Sequence, residues 1–172
     1  MKIDLIAKLK NIDEFKKNYI PGDEKKLYDN KSLIYYALSN SDLASRYYIS
    51  NFLLEKDVDV LSKNKENETV LHVLLGQTNH SLEDTYKLCK EFINKGVDIN
   101  ALDKKNRLAL QWLINLKYTD EELVPFYKLW FAQDFVDFQT QNKFGVSPYE
   151  LAKKQGHREK LLERMNEYDR ND

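Results

Sequence analysis

Three Val-Asp steps, Val58-Asp59-Val60, Val97-Asp98-Ile99 and Val136-Asp137-Phe138, recur at a constant interval of 39 residues. A fixed interval of that size marks a chain built from one supersecondary unit used several times, each copy unable to bury its apolar face alone. An apolar pair stands four to five residues before each step: Leu53-Leu54, Phe92-Ile93 and Phe131-Ala132. Seven to nine residues after each step comes a residue type that tolerates positive φ: Asn67, Asn106 and Gly145, with Asn30 in the corresponding earlier place.

Each such turn is followed by a short apolar block of helical character: residues 32–38, 69–75, 108–113 and 147–152. A second, longer helix is predicted after each block. In residues 82–93 the apolar positions Leu82, Tyr86, Cys89, Phe92 and Ile93 make one stripe at helical spacing. Ser81 supplies an N-cap oxygen for that helix, and Lys95-Gly96 a stop. Thr119 and Glu122 have capping-box spacing at the start of the next long helix, and Pro125 lies early enough there to be tolerated or to kink it. Residues 3–20 form a shortened pair that Pro21-Gly22 ends.

This order of turn, short helix, loop and longer helix resembles the ankyrin repeat. The residues that carry the resemblance are Gly145-Val146-Ser147-Pro148-Tyr149-Glu150-Leu151-Ala152, Gly96-Val97-Asp98-Ile99-Asn100 and Thr69-Val70-Leu71-His72. The chain departs from that family in its 39-residue period, where 33 is usual, and in Asp57 and Phe135, which stand where a helix-ending glycine is expected. The resemblance implies an all-α fold: an ankyrin-like helical-hairpin repeat solenoid of about four repeats plus a shortened N-terminal cap. It forms one domain, with units near 1–29, 30–66, 67–105, 106–144 and 145–172. Terminal units need a polar outer face. Lys10, Asp13, Glu14, Lys16 and Lys17 at the start, and Arg158, Glu159, Lys160, Glu163, Arg164 and Glu167 at the end, are assigned to it.

Chemistry-bearing residues are scattered. His72, His80 and His157 fall in different units without ligand-type partners at i+3 or i+4, so no metal is expected. Under the resemblance His72 makes turn-stabilising hydrogen bonds and His157 opens a second helix. Cys89 belongs to an apolar stripe, which favours a core role over a nucleophile. Asp120, Glu121 and Glu122 occupy a helix first turn, where carboxylates meet the helix dipole. Five glycines and no phosphate-loop, dinucleotide or nucleophile-elbow motif leave no catalytic residue and no cofactor to assign.

With 27 basic and 28 acidic side chains the net charge is −1, which gives no general attraction to nucleic acid or anionic lipid. The longest charge-free stretch, residues 69–82, is too short and too polar to cross a bilayer. Lys2, Asp4, Lys8 and Lys10 interrupt any secretory apolar block, and a single cysteine suits a reducing compartment, so a cytoplasmic location is expected.

The resemblance then implies partner binding through residues around the turns: Tyr28, Asp29 and Lys31; Lys65, Glu66 and Glu68; Lys104, Lys105 and Arg107; Lys143 and Phe144. Six of these eleven are basic, which suits an acidic patch on a partner protein. The simpler alternative is that they are solvated turn lysines. Of the aromatic residues, Tyr35, Tyr36, Tyr47, Tyr48, Trp112 and Trp130 are assigned to stacking core, with one member of a Tyr-Tyr pair free to face outward. Small ankyrin-like chains rich in Lys and Asn resemble bacterial immunity proteins. On that basis the expectation is a non-enzymatic chain, monomeric until it binds a cognate toxin in the cytosol. The alternative is a scaffold or secreted effector that binds a host protein.

Overall fold

A six-residue helix is far below the length at which a helix persists by itself in water. Three helices of that length occur among the described residues, so packing has to hold each of them. The computed structural model describes residues 1–171. Over those residues the protein is all-α apart from one two-stranded ribbon, and no helix is long and apolar enough to cross a membrane. The chain falls into two units, Met1–Val97 and Asp98 onward.

The first unit runs α1 (Ile3–Leu9), α2 (Ile12–Asn18), the antiparallel strands β1 (Leu27–Tyr28) and β2 (Lys31–Ser32), α3 (Leu33–Leu38), α4 (Leu43–Glu55), α5 (Val70–Leu75) and α6 (Leu82–Asn94). Helix α1 packs on α3 and α3 on α5, while α2 packs on α4 and α4 on α6. Consecutive pairs therefore meet first helix to first helix and second to second. Helix α3 is buried on every side, as an apolar run with no polar face requires. Its two phenols still find acceptors: Tyr35 Oη lies 2.5 Å from Ser62 O and 3.0 Å from Glu68 O, and Tyr36 Oη donates to Tyr28 O at 2.9 Å. Tyr47 is buried as well, and Tyr48 is the member of its pair that faces outward.

The buried face of α6 is Thr85, Leu88, Cys89 and Phe92, with Leu82, Tyr86 and Ile93 half-buried at its margins. The helix stops through Gly96 at φ 93°, and α4 stops through Asp57 at φ 54°. The third copy differs, because α8 ends at Phe131 and Phe135 is not among the left-handed residues.

The second unit comprises α7 (Ala109–Ile114), α8 (Asp120–Phe131), α9 (Pro148–Gln155) and α10 (Glu159–Asn171). Helix α7 packs on α9, α8 on α10, and α9 on α10. Trp130, Phe126, Tyr127, Leu161 and Met165 form the centre of this core. Both predicted cap devices are present on α8: Thr119 N donates to Glu122 Oε2 at 2.8 Å, and Glu122 N to Thr119 Oγ1 at 3.3 Å. Pro125 leaves α8 unbroken, with its ring on the exposed face.

One assignment from the sequence fails here. Arg158 is not on the polar outer face but 1% exposed, and its guanidinium donates to the carbonyls of Ile114 (3.0 Å), Leu116 (2.6 Å) and Tyr118 (2.8 Å). The backbone N–H groups of Asn115 and Leu116 serve the Gln111, Trp112 and Leu113 carbonyls at the end of α7, and the arginine supplies three N–H groups to the last carbonyl, Ile114, and to the loop after it. The other charged residues assigned to the two ends are exposed, except Arg164, which is half-buried.

Candidate functional site

The turns carry the expected binding residues, and their geometry starts with the Val-Asp steps. Val58, Val97 and Val136 are buried. The aspartate after each turns the chain by accepting backbone N–H groups: Asp59 from Leu61 (2.8 Å) and Ser62 (3.2 Å), Asp98 from Asn100 (2.8 Å), and Asp137 from Gln139 and Thr140 (both 3.0 Å). Such short side chains hydrogen-bond their own backbone two or three residues on, and here they do so once per repeat interval.

Five residues after each aspartate stands a second carboxylate or amide that the sequence reading did not single out: Asn64, Asp103 and Asn142. Asn64 Oδ1 accepts from the backbone N of Glu66 and Glu68, both at 2.9 Å. Asp103 Oδ1 accepts from Lys105 (2.8 Å) and Arg107 (2.9 Å), and Asn142 Oδ1 from Phe144 (2.9 Å) and Val146 (3.2 Å). The backbone closes each loop in the same way, with Asn64 N to Glu68 O, Asp103 N to Arg107 O and Asn142 N to Val146 O at 3.0–3.1 Å. The left-handed residues are the predicted ones: Asn67 (φ 59°), Asn106 (φ 55°) and Gly145 (φ 74°). A recurrent Asn or Asp three residues before each of these was the signal available in the sequence. The earliest turn is built differently: Asp29 (φ 50°) and Asn30 (φ 58°) form the two-residue loop of a hairpin in which Leu27 pairs with Ser32 and Tyr28 with Lys31. Two consecutive positive φ values are what such a tight hairpin needs to match strand twist.

The side chains held between these anchors differ from turn to turn. Lys65-Glu66, Lys104-Lys105 and Lys143-Phe144 are exposed at the tips, Phe144 by 72%. Several of the other expected binding residues are engaged within their own unit. Tyr28 is half-buried, its Oη donating to Asp23 O at 3.2 Å, and burial pushes its phenol up to about 12. Lys31 Nζ lies 4.4 Å over the Tyr36 ring, Lys65 pairs with Asp29 at 3.7 Å, and Glu68 accepts from Asn64 Nδ2 at 2.7 Å. Arg107 Nε donates to Asp103 Oδ2 at 2.7 Å while its guanidinium covers the Trp112 ring at 4.7 Å. The expected cationic edge is therefore confined to the second unit. Lys104, Lys105, Arg107 and Lys143 are all cations, whereas the first unit's set mixes Lys31 and Lys65 with Asp29, Glu66 and Glu68.

Asp103 is held below the usual carboxylate range: burial works to raise it, but the Arg107 and Lys105 N–H groups and the Arg107 guanidinium outweigh that. Lys143 N donates to Lys105 O at 2.9 Å, joining the second unit's two tips. Between those turns and α7 lies a narrow cleft of about 240 Å³, walled by Arg107, Gln111, Trp112, Asn142, Val146 and Leu151. A wider groove of about 770 Å³ runs past Tyr118, Thr119, Glu121, His157, Lys160 and Glu163. At its floor Asp120 is already committed, accepting from Tyr127 Oη at 2.8 Å and Lys160 N at 2.6 Å.

The histidines serve separate local roles. His72 Nδ1 lies 3.2 Å from Thr69 N and 2.9 Å from Thr69 Oγ1, a capping arrangement at the start of α5. His80 contacts Gln77 O (2.9 Å) and Thr85 Oγ1 (3.2 Å), and burial lowers its basicity. His157 is exposed just before α10. Among the described residues no group of three or more His, Cys, Asp or Glu side chains could hold a metal ion. Cys89 is fully buried, which pushes its thiol well above the ordinary cysteine range.

No model of a known protein family matches the chain, and no curated protein matches it. Among solved structures, the chain is similar to the crystal structure of a functionally unknown protein from Leptotrichia buccalis C-1013-b, at 27% identity and a TM-score of 0.86, covering 99% of this chain and 93% of that one.

Proposed function

We propose that the helix pairs are divergent ankyrin-like repeats, about four behind a shortened N-terminal cap, and that the chain is a non-enzymatic solenoid whose output is binding to another protein. One observation carries this reading: three turns at the 39-residue interval share one hydrogen-bond frame, yet present Lys-Glu, Lys-Lys and Lys-Phe at their tips. A frame that fixes the backbone and leaves tip chemistry free to vary is how rigid scaffolds build recognition surfaces. The specific role is that of a bacterial immunity protein, which caps a cognate toxin in the cytosol and masks a surface the toxin needs. Cationic tips that meet an acidic toxin surface make association fast and salt-sensitive.

The test is affinity capture at physiological salt with the wild-type chain and with a Lys105→Glu/Lys143→Glu variant, followed by co-expression with the captured protein. The expected result is a stoichiometric partner that the variant loses, and rescue of growth when the chain is co-expressed with it. Equal capture by both proteins removes the turn tips from the binding face, and failure to restore growth removes the immunity role.

A further inference from the structure

We infer that the cleft beside Trp112 in the second unit seats an acidic linear segment of a partner protein, anchored by one apolar side chain. This deepens the binding role proposed above and rests on it. At about 240 Å³ the cleft lies below the range of drug-sized ligand pockets, so it has room for a side chain and a short stretch of backbone rather than a cofactor. Its walls include the apolar surfaces of Trp112, Val146 and Leu151.

Two adjacent residues of that wall hold unpaired polar atoms. Gln111 is 5% exposed and its Nε2 donates to Val146 O at 2.9 Å, but its Oε1 is buried with no partner, and so is Trp112 Nε1. An acceptor and a donor closed off from water in the free chain each carry a desolvation penalty that only a new partner removes. A peptide group offers both an N–H and a C=O, the two complements these atoms lack.

The rim sets the charge of the occupant. Lys105 and Lys143 are exposed on the two turns that border the cleft, and neither has an ion-pair partner among the described residues. The carboxylate built into this cluster, Asp103, is committed to the Lys105 and Arg107 N–H groups and to the Arg107 guanidinium. Exposed Phe144 adds apolar contact at the tip. A nucleic acid strand fits less well, since stacking on Trp112 needs an open ring face and Arg107 already covers one at 4.7 Å.

The test uses the full chain, ¹⁵N-labelled, and a synthetic peptide with one central leucine flanked by glutamates. Its two tryptophans give two indole N–H signals, assigned through Trp112→Phe. The expected result is that the Trp112 indole and Gln111 side-chain signals move together on titration while the Trp130 indole stays put. Replacing the leucine by serine weakens binding about tenfold, as does the exposed double variant Lys105→Glu/Lys143→Glu. The inference is overturned if the peptide leaves the Trp112 indole unmoved at about 1 mM, if the serine peptide binds equally well, or if oligothymidylate binds more tightly than the peptide. Should the peptide fail while the double variant still abolishes capture of the protein partner, the cleft falls and the turn tips stay in the binding face; should capture also survive the variant, both the cleft and the tips fall, and with no partner captured at all the binding role falls.

Discussion

Each unit contains one buried arginine with no carboxylate bonded to it among the described residues, and the two are seated differently. In the first unit Arg46 is 1% exposed inside α4, and donates to Asn40 O (2.8 Å), Asn79 O (2.6 Å) and Asn79 Oδ1 (3.1 Å). In the second, Arg158 stands immediately before α10 and all three of its partners are main-chain carbonyls. Both guanidiniums fasten a long helix to the loop that follows a short one. The C-terminal ends of the short helices carry partial negative charge, so a cation with a planar fork of donors fits there where a carboxylate would be repelled. The difference lies in how much can relax: Asn79 can swing its amide away, whereas backbone carbonyls cannot. The α5–α6 pair uses a neutral alternative, with Tyr47 Oη accepting from Ser81 N at 3.0 Å and lying 2.8 Å from Thr85 Oγ1.

Removing each guanidinium tests that distinction. Arg158→Ala takes a donor from each of three main-chain carbonyls and is expected to destabilise the second unit by about 3–4 kcal/mol, whereas Arg46→Ala costs the first about 2–3 kcal/mol because one of its three acceptors, the Asn79 side-chain amide, can turn to water. The chain carries its own reporters: both tryptophans, Trp112 and Trp130, lie in the second unit, and the single thiol, Cys89, in the first. In urea, Arg158→Ala should shift the tryptophan fluorescence transition and Arg46→Ala the onset of Cys89 labelling. Equal shifts of both probes by both variants would dissolve the comparison.

Next in size are the turn anchors. Asp103→Ala in the second unit should cost about 2 kcal/mol, since it frees two backbone N–H groups and releases Arg107, while Asn64→Ala in the first should cost about 1 kcal/mol. Thermal unfolding of the two variants measures the difference. Asp103 also makes its own turn acid-sensitive. Its folded-state carboxyl titrates below the unfolded value, so its contribution is fully present above about pH 4. That contribution disappears as the pH falls through the folded-state value. Wild type and Asp103→Asn should therefore converge in stability as the pH drops through that window, and parallel curves would contradict the linkage. The smallest effect is expected for Lys65→Ala. Its pairing with Asp29 at 3.7 Å has both side chains 67% exposed, and loss should stay within about 0.5 kcal/mol in a denaturant titration.

Much of the frame was legible before any coordinates. The Val-Asp interval, the left-handed residues Asn67, Asn106 and Gly145, and the Thr119–Glu122 box all depend on partners within a few residues, and such chemistry repeats visibly in a sequence. Asn64, Asp103 and Asn142 were equally local, but an Asn or Asp in a polar loop looks like solvent-facing surface until its backbone partners are known. Asp57 shows the limit from the other side, since an aspartate takes the left-handed place that glycine takes at Gly96. Among the turn residues expected to bind a partner, position in the sequence located the tips but not their engagement: Arg107 and Lys31 cover aromatic rings in their own units.

The sequence alone determined where the repeated turns lie, where the short helices, α6 and α8 begin, and which apolar stripe of α6 needs cover, because those outcomes follow from short-range backbone preferences and from periodicity. Tertiary structure decided that Arg158 is buried, that Tyr48 rather than Tyr47 faces outward, and that Gln111 and Trp112 meet at one cleft wall with unpaired atoms. Arg158 reaches Ile114 across 44 residues of chain. Over such a distance a charged side chain carries no local mark of whether water or a row of carbonyls will receive it, and only the packing of the helices settles which.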